Sequence, residues 1–216
     1  ADFTASEIHE SGGMVSFDVV KKGERLGRVE LGIPGRHNVL NALAAITVAD
    51  TLKVDFQLVA RALATFAGAR RRFENKYVSS HLRIVDDYGH HPTEVEATLQ
   101  TARSLKPGRM VVVFQPHRYS RTQKLADDFG KALQDADLVF VTDIYPASEL
   151  PIEGVSAQTI VDAIAAHGNV PAQVVGPIRN AHHVVGNALK SGDLLVTLGA
   201  GNVHEIGTKI ARDMAV

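Results

Sequence analysis

The chain has no cysteine, which excludes disulfides, thiolate metal sites and a cysteine nucleophile. Charge of one sign is not in excess either, since the formal net charge is −1. A broad electrostatic footprint for nucleic acid or an anionic membrane surface is therefore missing. No unbroken apolar run is long enough to span a bilayer, and the first residues do not read as a signal peptide. These absences set the expectation of a cytoplasmic protein that works on small molecules. The glycine-lysine-serine/threonine ending of a phosphate-binding loop occurs nowhere, and neither an internal repeat nor a low-complexity tract is found. What remains is 216 residues, 45% hydrophobic and 22% charged, enough for one large globular domain or two small ones.

The first third alternates as antiparallel strands do. Val15, Phe17 and Val19 share a face, Lys22-Gly23-Glu24 turns, and Arg25 to Leu31 returns. A helix follows Gly35, with Val39, Leu43, Ile46 and Ala49 at helical spacing, and a second covers Phe56 to Phe66. Two or three strands and two helices leave one sheet face under-covered, so the chain is expected to begin inside a domain. Beyond Arg70-Arg71-Arg72-Phe73 the pattern becomes strand-helix alternation. Strands are expected at 82–85, 110–114, 138–142, 173–175 and 194–198, with helices from Pro92 and over 122–133, 157–166 and 181–189, and a last one from Val203. Five such strands predict an α/β fold with a doubly wound, Rossmann-like parallel sheet. The boundary is placed between Phe73 and Glu74, giving pieces 1–73 and 74–216.

Two charged patches each follow an apolar run: Asp86-Asp87-Tyr88-Gly89-His90-His91-Pro92-Thr93-Glu94 after 81–85, and Gln115-Pro116-His117-Arg118-Tyr119-Ser120-Arg121-Thr122 after 110–114. Ligands of open parallel sheets sit beyond the carboxyl ends of the strands, so both patches are expected in one crevice. Asp86 and Asp87 are a metal pair, a general base or ribose acceptors; the plain alternative is a capping cluster at the helix that starts at Pro92. Arg118 and Arg121, three residues apart, suit one carboxylate or phosphate, against the plain reading of two solvated arginines. Asn38 and Asn41 lie one turn apart: Asn38 is a helix N-cap, or the pair reads the edge of a base such as adenine. Arg70-Arg71-Arg72 is a solvated linker or reaches a phosphate. Gly199-Ala200-Gly201 reads as a tight turn rather than half a dinucleotide fingerprint, and His182, His183 and His204 read as helix-surface histidines.

Taken in order, Gly35-Arg36-His37-Asn38-Val39-Leu40-Asn41-Ala42, Arg71-Arg72-Phe73 and the two charged patches resemble the Mur ligases, and Tyr145-Pro146-Ala147 and Gly199-Ala200-Gly201-Asn202 fit the same family. The resemblance runs from about Gly32 to the end of the chain. Tyr88-Gly89 and His117-Arg118 resemble the branch that adds alanine rather than a whole peptide. Ser148 departs, since the family usually has glycine after Tyr-Pro-Ala. The resemblance implies an ATP-dependent ligase of peptidoglycan synthesis with three domains. Residues 1–73 would be the end of its central ATPase domain, and 74–216 its amino-acid-binding domain. It implies L-alanine joined to the carboxylate of UDP-N-acetylmuramate through an acyl phosphate, with the phosphate loop and magnesium ligands upstream of Ala1 and this piece inactive by itself. By motif position, Asn38 and Asn41 would hold the adenine region of ATP, Arg72 its phosphates and Asp87 its ribose. Tyr88, His90, His117, Arg118 and Arg121 would receive alanine and the acyl phosphate, with Arg72 and His90 catalytic; no residue of the chain is implied as a metal ligand. Two rivals remain: a metal-dependent phosphoesterase using Asp86, Asp87, His90 and His91 with Asp143 as a further candidate, and a non-catalytic nucleotide-binding module.

Overall fold

The computed structural model describes residues 1–11 and 13–214 and resolves two compact units, 1–69 and 70–216. The first unit is an antiparallel meander, β1 (Phe3–Ser11), β2 (Met14–Lys21) and β3 (Glu24–Leu31), in that order. Lys22 and Gly23, both with positive φ, form the two-residue turn joining β2 to β3, the geometry that matches strand twist. Helices α1 (His37–Thr51) and α2 (Phe56–Thr65) cover one face. The expected alternation holds: Val15, Phe17 and Val19 are fully buried against Val39, Ala42 and Ile46. The Asp55 carboxylate caps α2, accepting the amides of Gln57 and Leu58. Leu40 and Val48 on α1, and Leu52 just past its end, are exposed.

The second unit is a six-stranded sheet in the order β4-β5-β9-β6-β7-β8. Its strands are β4 (Glu74–Val78), β5 (Leu82–Asp87), β6 (Arg109–Phe114), β7 (Leu138–Thr142), β8 (Ala172–Gly176) and β9 (Asp193–Leu198). Five are parallel, as the apolar runs imply. The sixth, β4, pairs antiparallel with β5 at the edge and went unrecognised because Glu-Asn-Lys-Tyr-Val is half polar. Val111 and Val113 face one layer and Met110, Val112 and Phe114 the other, so a single continuous run builds both cores. Helices α3 (Pro92–Ser104), α4 (Tyr119–Ala132) and α5 (Ala157–His167) pack on one side; α6 (Ile178–Ala188) and α7 (His204–Met214) pack on the other. Gly130 lets α4 and α5 touch, because a Cβ there would fall 2.5 Å from the Ala163 carbonyl. Two helix starts fall three residues before their expected positions, α4 at Tyr119 and α6 at Ile178.

The chain returns from β8 at the far edge to β9, between β5 and β6. Asp87 of β5 and Phe114 of β6 both pair with Leu198 of β9. Three strand ends thus stop at one level, where the strand order reverses and ligands of such sheets bind.

Candidate functional site

The residues at and just beyond the end of β5 divide into a structural half and a site half. Asp86 is fully buried; its Oδ2 meets Arg71 Nε at 3.0 Å and its Oδ1 accepts the Thr197 hydroxyl at 2.7 Å. Arg71 also donates to the carbonyls of Gly199, Ala200 and Gly201 and lies 5.0 Å from the Tyr88 ring. It is therefore an inward latch, neither the solvated linker nor the phosphate contact of the sequence reading. Asp87, 6% exposed, accepts the amides of Phe73 and Gly89, each at 2.7 Å. Burial pushes its carboxyl up from the usual carboxylate value, against these two amides and the charge of Arg72. His91 and Glu94 form a capping box at α3, with Pro92 in its first turn. The plain capping reading thus holds for these two; Asp86 belongs to the interior, and Asp87 is nearly buried at the strand end. Burial alone would push Glu94 up, but the amides of His90 and His91, the His90 ring and the Arg72 charge leave it below its ordinary value.

Tyr88 and His90 are the site half. Their rings meet edge to face at 5.3 Å, and His90 reaches across the crevice to His117 after β6, centroid to centroid 5.6 Å. His117 stacks on Tyr145 after β7 at 5.4 Å and 12°. The backbone accounts for this stacking: Tyr145 donates to Pro116 and accepts from Arg118, each at 2.8 Å, zipping the two strands beyond their formal ends. Gly199-Ala200-Gly201 supplies the floor. A Cβ at Gly201 would strike the Gln115 amide and lie 2.7 Å from the Tyr145 ring, and Gln115 is itself held by Asn202 and the Val203 amide.

The two arginines differ. Arg118 Nη1 lies 3.7 Å from the Glu149 carboxylate, whereas Arg121 Nη1 is buried with no hydrogen-bond partner among the described residues. His117 Nδ1 shares that condition. A buried donor without a partner is costly, and an entering anion would satisfy it. Burial, then the neighbouring His90, Arg121 and Arg118, hold the His117 imidazole below its ordinary value against the opposing pull of Glu149. The unfolded chain therefore takes this proton first. The His117 contribution to stability is whole above about pH 6.5 and falls as pH drops below it. An imidazole NMR titration of His117 should show a midpoint below 6.5; a higher one contradicts this environment.

Arg72 is an exposed guanidinium 5.8 Å from the Tyr88 ring and 3.9 Å from Glu94. Asn38 and Asn41 belong to the first unit. Asn38 is not an N-cap, because Arg36 holds that position and Asn38 lies within the first turn, donating back to the Pro34 carbonyl at 2.7 Å. Asn41 donates to Asn38 at 3.0 Å, so the two carboxamides form one pair. His182 and His204 are half-buried, each with a buried Nδ1 lacking a partner among the described residues, rather than simple surface histidines. Sequence reasoning missed Arg71, Tyr145 and Glu149 as shapers of the site. Arg71 and Tyr145 carried a signal, by their places in the Arg71-Arg72-Phe73 and Tyr-Pro-Ala motifs; Glu149 carried none.

Ser148 has φ 70° and Ala147 φ 48° in the turn after Tyr145. The left-handed region costs a non-glycine residue about 1–2 kcal/mol. Part of that is offset by the greater freedom of glycine in the unfolded chain. Ser148→Gly should stabilise the protein by about 0.5–1 kcal/mol, read from the urea midpoint; destabilisation would show that the serine side chain outweighs the strain.

A family model described as "Mur ligase, glutamate ligase domain" matches residues 71–201. The UDP-N-acetylmuramate--L-alanine ligase of Geobacter sp. (strain M21) is 47% identical over 208 residues, covering 96% of this chain and 45% of that protein. The like-named ligase of Geotalea uraniireducens (strain Rf4) is 44% identical over 216 residues, covering 99% of this chain and 47% of its own length. Among solved structures, the UDP-N-acetylmuramate-alanine ligase of Thermotoga maritima superposes with a TM-score of 0.85 at 31% identity, over 99% of this chain and 46% of that one. A pseudomurein peptide ligase type C from Methanothermus fervidus gives 0.73 at 25% identity, over 99% and 42%. The chain spans about half the length of the curated relatives it matches.

Proposed function

This chain belongs to the Mur ligase family, and from that premise we propose that it is part of a ligase joining L-alanine to the carboxylate of UDP-N-acetylmuramate at the expense of ATP. The observation that carries the reading is the convergence, at level strand ends, of Tyr88, His90 and His117, with Arg118 and Arg121 beside His117 and Arg121 Nη1 buried with no hydrogen-bond partner among the described residues. Support comes from relatives named for this reaction at 44–47% identity.

In the proposed sequence, the γ-phosphoryl of ATP passes to the muramoyl carboxylate, giving an acyl phosphate and ADP. The alanine amine attacks the acyl carbon, and the tetrahedral intermediate expels phosphate to leave the amide. Each stage builds negative charge that preorganised cations stabilise. Arg121, with Arg118, would grip the alanine carboxylate and so aim the amine. His117 is held toward its neutral form and so adds no competing charge, while His90 contacts the reacting groups. Arg72 would meet the ATP phosphates, and Asn38 and Asn41 the adenine. Asp87 would meet the ribose with what lone-pair capacity its carboxylate keeps beyond the Phe73 and Gly89 amides and the Thr98 hydroxyl. For magnesium the described residues do not fit: among them no group of three or more His, Asp or Glu could hold an ion, and Asp86 is committed to Arg71 and Thr197. The same commitment removes Asp86 from the ligand set of the phosphoesterase alternative. Magnesium is assigned, in this reading, to sequence that the relatives carry beyond the matched half. Among the described residues no helix is long and apolar enough to cross a membrane.

The test is ATP turnover that depends on both alanine and UDP-N-acetylmuramate. The full-length ligase carrying this chain should release phosphate only with all three substrates, and residues 1–216 alone should release none. A full-length protein that turns over ATP without regard to alanine would sink the proposal. Within that enzyme, Arg72→Ala and Asp87→Ala should lower kcat/KM for ATP about ten- to hundredfold, with smaller effects on alanine. Unchanged ATP kinetics in folded variants would remove both from the nucleotide site.

A further inference from the structure

We infer that Glu149 is a positioning residue for amino-acid recognition, acting through Arg118; the inference rests on the alanine-carboxylate reading above. Helix α4 begins without a cap of its own. Its N-cap position is held by Arg118, at φ 73° and ψ 138°, whose side chain makes no capping bond. The first amides of a helix need acceptors from elsewhere, and the acceptor here comes from 29 residues downstream. Glu149 takes the Ser120 amide at 3.0 Å on Oε2 and the Ser120 hydroxyl at 2.6 Å on Oε1. The same Oε1 lies 3.7 Å from Arg118 Nη1.

Both ends of this link are fixed. The Glu149 amide closes a turn on the Pro146 carbonyl at 3.0 Å, just after Tyr145, which is tied to Pro116 and Arg118. The Arg118 backbone is held by Tyr145 on one side and by Thr122 on the other, through its amide and hydroxyl. What freedom is left to Arg118 lies in its long side chain, half-exposed at 49%. Glu149 engages one guanidinium nitrogen and leaves the remaining donors of the fork for a ligand. The Ser120 hydroxyl and amide keep the Glu149 carboxyl below its ordinary value, so the anion that steers Arg118 persists at neutral pH. Arg121 is the more buried of the two: the residue is half-buried and its Nη1 is out of solvent. The pair divides the work: Arg121 is set by burial, Arg118 by Glu149.

The experiment uses the full-length ligase with Glu149→Ala, Glu149→Gln, Arg118→Ala and the Glu149→Ala/Arg118→Ala double variant, measuring KM for L-alanine and for ATP and kcat. Glu149→Ala should raise the alanine KM about tenfold, with the ATP KM within about twofold. Glu149→Gln keeps an oxygen for Ser120 and loses the charge, so it should show most of the same defect. In the Arg118→Ala background, removing Glu149 should add less than about twofold, because its effect passes through the missing guanidinium. Full recovery in Glu149→Gln, or independent and multiplying effects in the double variant, would make Glu149 a helix cap only and overturn the inference. An Arg118→Ala enzyme with an unchanged alanine KM would instead defeat the carboxylate reading itself. Should Glu149→Ala fail to fold, the comparison of Glu149→Gln alone and with Arg118→Ala decides the same question.

Discussion

Replacing Arg71 with alanine is expected to destabilise the second unit by roughly 3–5 kcal/mol, the range for breaking a buried ion pair from one side. Asp86 is fully buried and the Arg71 side chain 19% exposed, so the carboxylate would be left among apolar strands with one hydroxyl, that of Thr197, for compensation. The carbonyls of Gly199, Ala200 and Gly201 would lose their common donor in the same step. Arg71→Lys retains charge, but a single ammonium cannot serve a carboxylate and three carbonyls spread around a planar fork. It should therefore lose a substantial part of the same stability. The left-handed backbone of Arg71, φ 58°, is carried by these bonds, and it brings the Arg71 carbonyl to the Tyr88 amide at 2.7 Å. A second effect follows: the Tyr88 end of the site should loosen along with the turn after β9. Urea unfolding of wild type and both variants, followed by far-UV circular dichroism, measures the first effect, and amide exchange at Tyr88 and Gly201 measures the second. A loss below about 1 kcal/mol for Arg71→Ala would show that Asp86 is satisfied without it.

That latch also marks where reading the sequence fails. The parallel strands were legible because a strand buried on both faces writes itself as an unbroken run such as Met110 to Phe114. The crevice was legible because such strands end at one level, and His90 and His117 do meet there. The aspartates that end β5 were assigned to the crevice on the same logic, yet Asp86 points inward. Its partners lie 15 and 111 residues away in sequence, and no local pattern announces either. Helix α4 tells the same story, since a search for a local cap finds none at Arg118 and the true acceptor is Glu149. Strand β4 was lost because an antiparallel edge strand has one wet face and short apolar content. The start of α6 was lost because Pro177, which precedes it as N-cap, reads as the end of a loop. Asn38 misled in the other direction: it has a good capping side chain, but the cap falls two residues earlier, at Arg36, and the Asn38 side chain turns back to Pro34. Misreadings of partner came from long-range pairing; misreadings of boundary came from ends without a standard cap.

The largest functional effect is expected at Arg121. Its Nη1 is buried with no hydrogen-bond partner among the described residues, and an incoming carboxylate would satisfy that donor. Two parallel N–H bonds from one guanidinium fix the direction of the amino acid as well as its charge. Lysine keeps the charge and loses the fork, so Arg121→Lys should be nearly as damaging as Arg121→Ala in the full-length ligase. Removing a hydrogen bond to a charged group costs about 1.5–3 kcal/mol, and the alanine KM should rise roughly ten- to hundredfold. The ATP KM should move little, because the interaction serves the amino acid alone. L-alanine amide, which lacks the carboxylate charge, should discriminate poorly between wild type and Arg121→Lys. Arg121→Met fills the same space without a polar atom, so it should fold at least as stably as wild type while losing alanine recognition, the exchange of stability for function expected of a strained site. This variant separates binding from folding, since a merely structural arginine would lower stability and activity together. Steady-state kinetics against both substrates, with thermal unfolding of each variant, decide between the assignments. If the defect falls on ATP and spares alanine, Arg121 is a phosphate ligand, and the amino-acid carboxylate must be held elsewhere in the crevice.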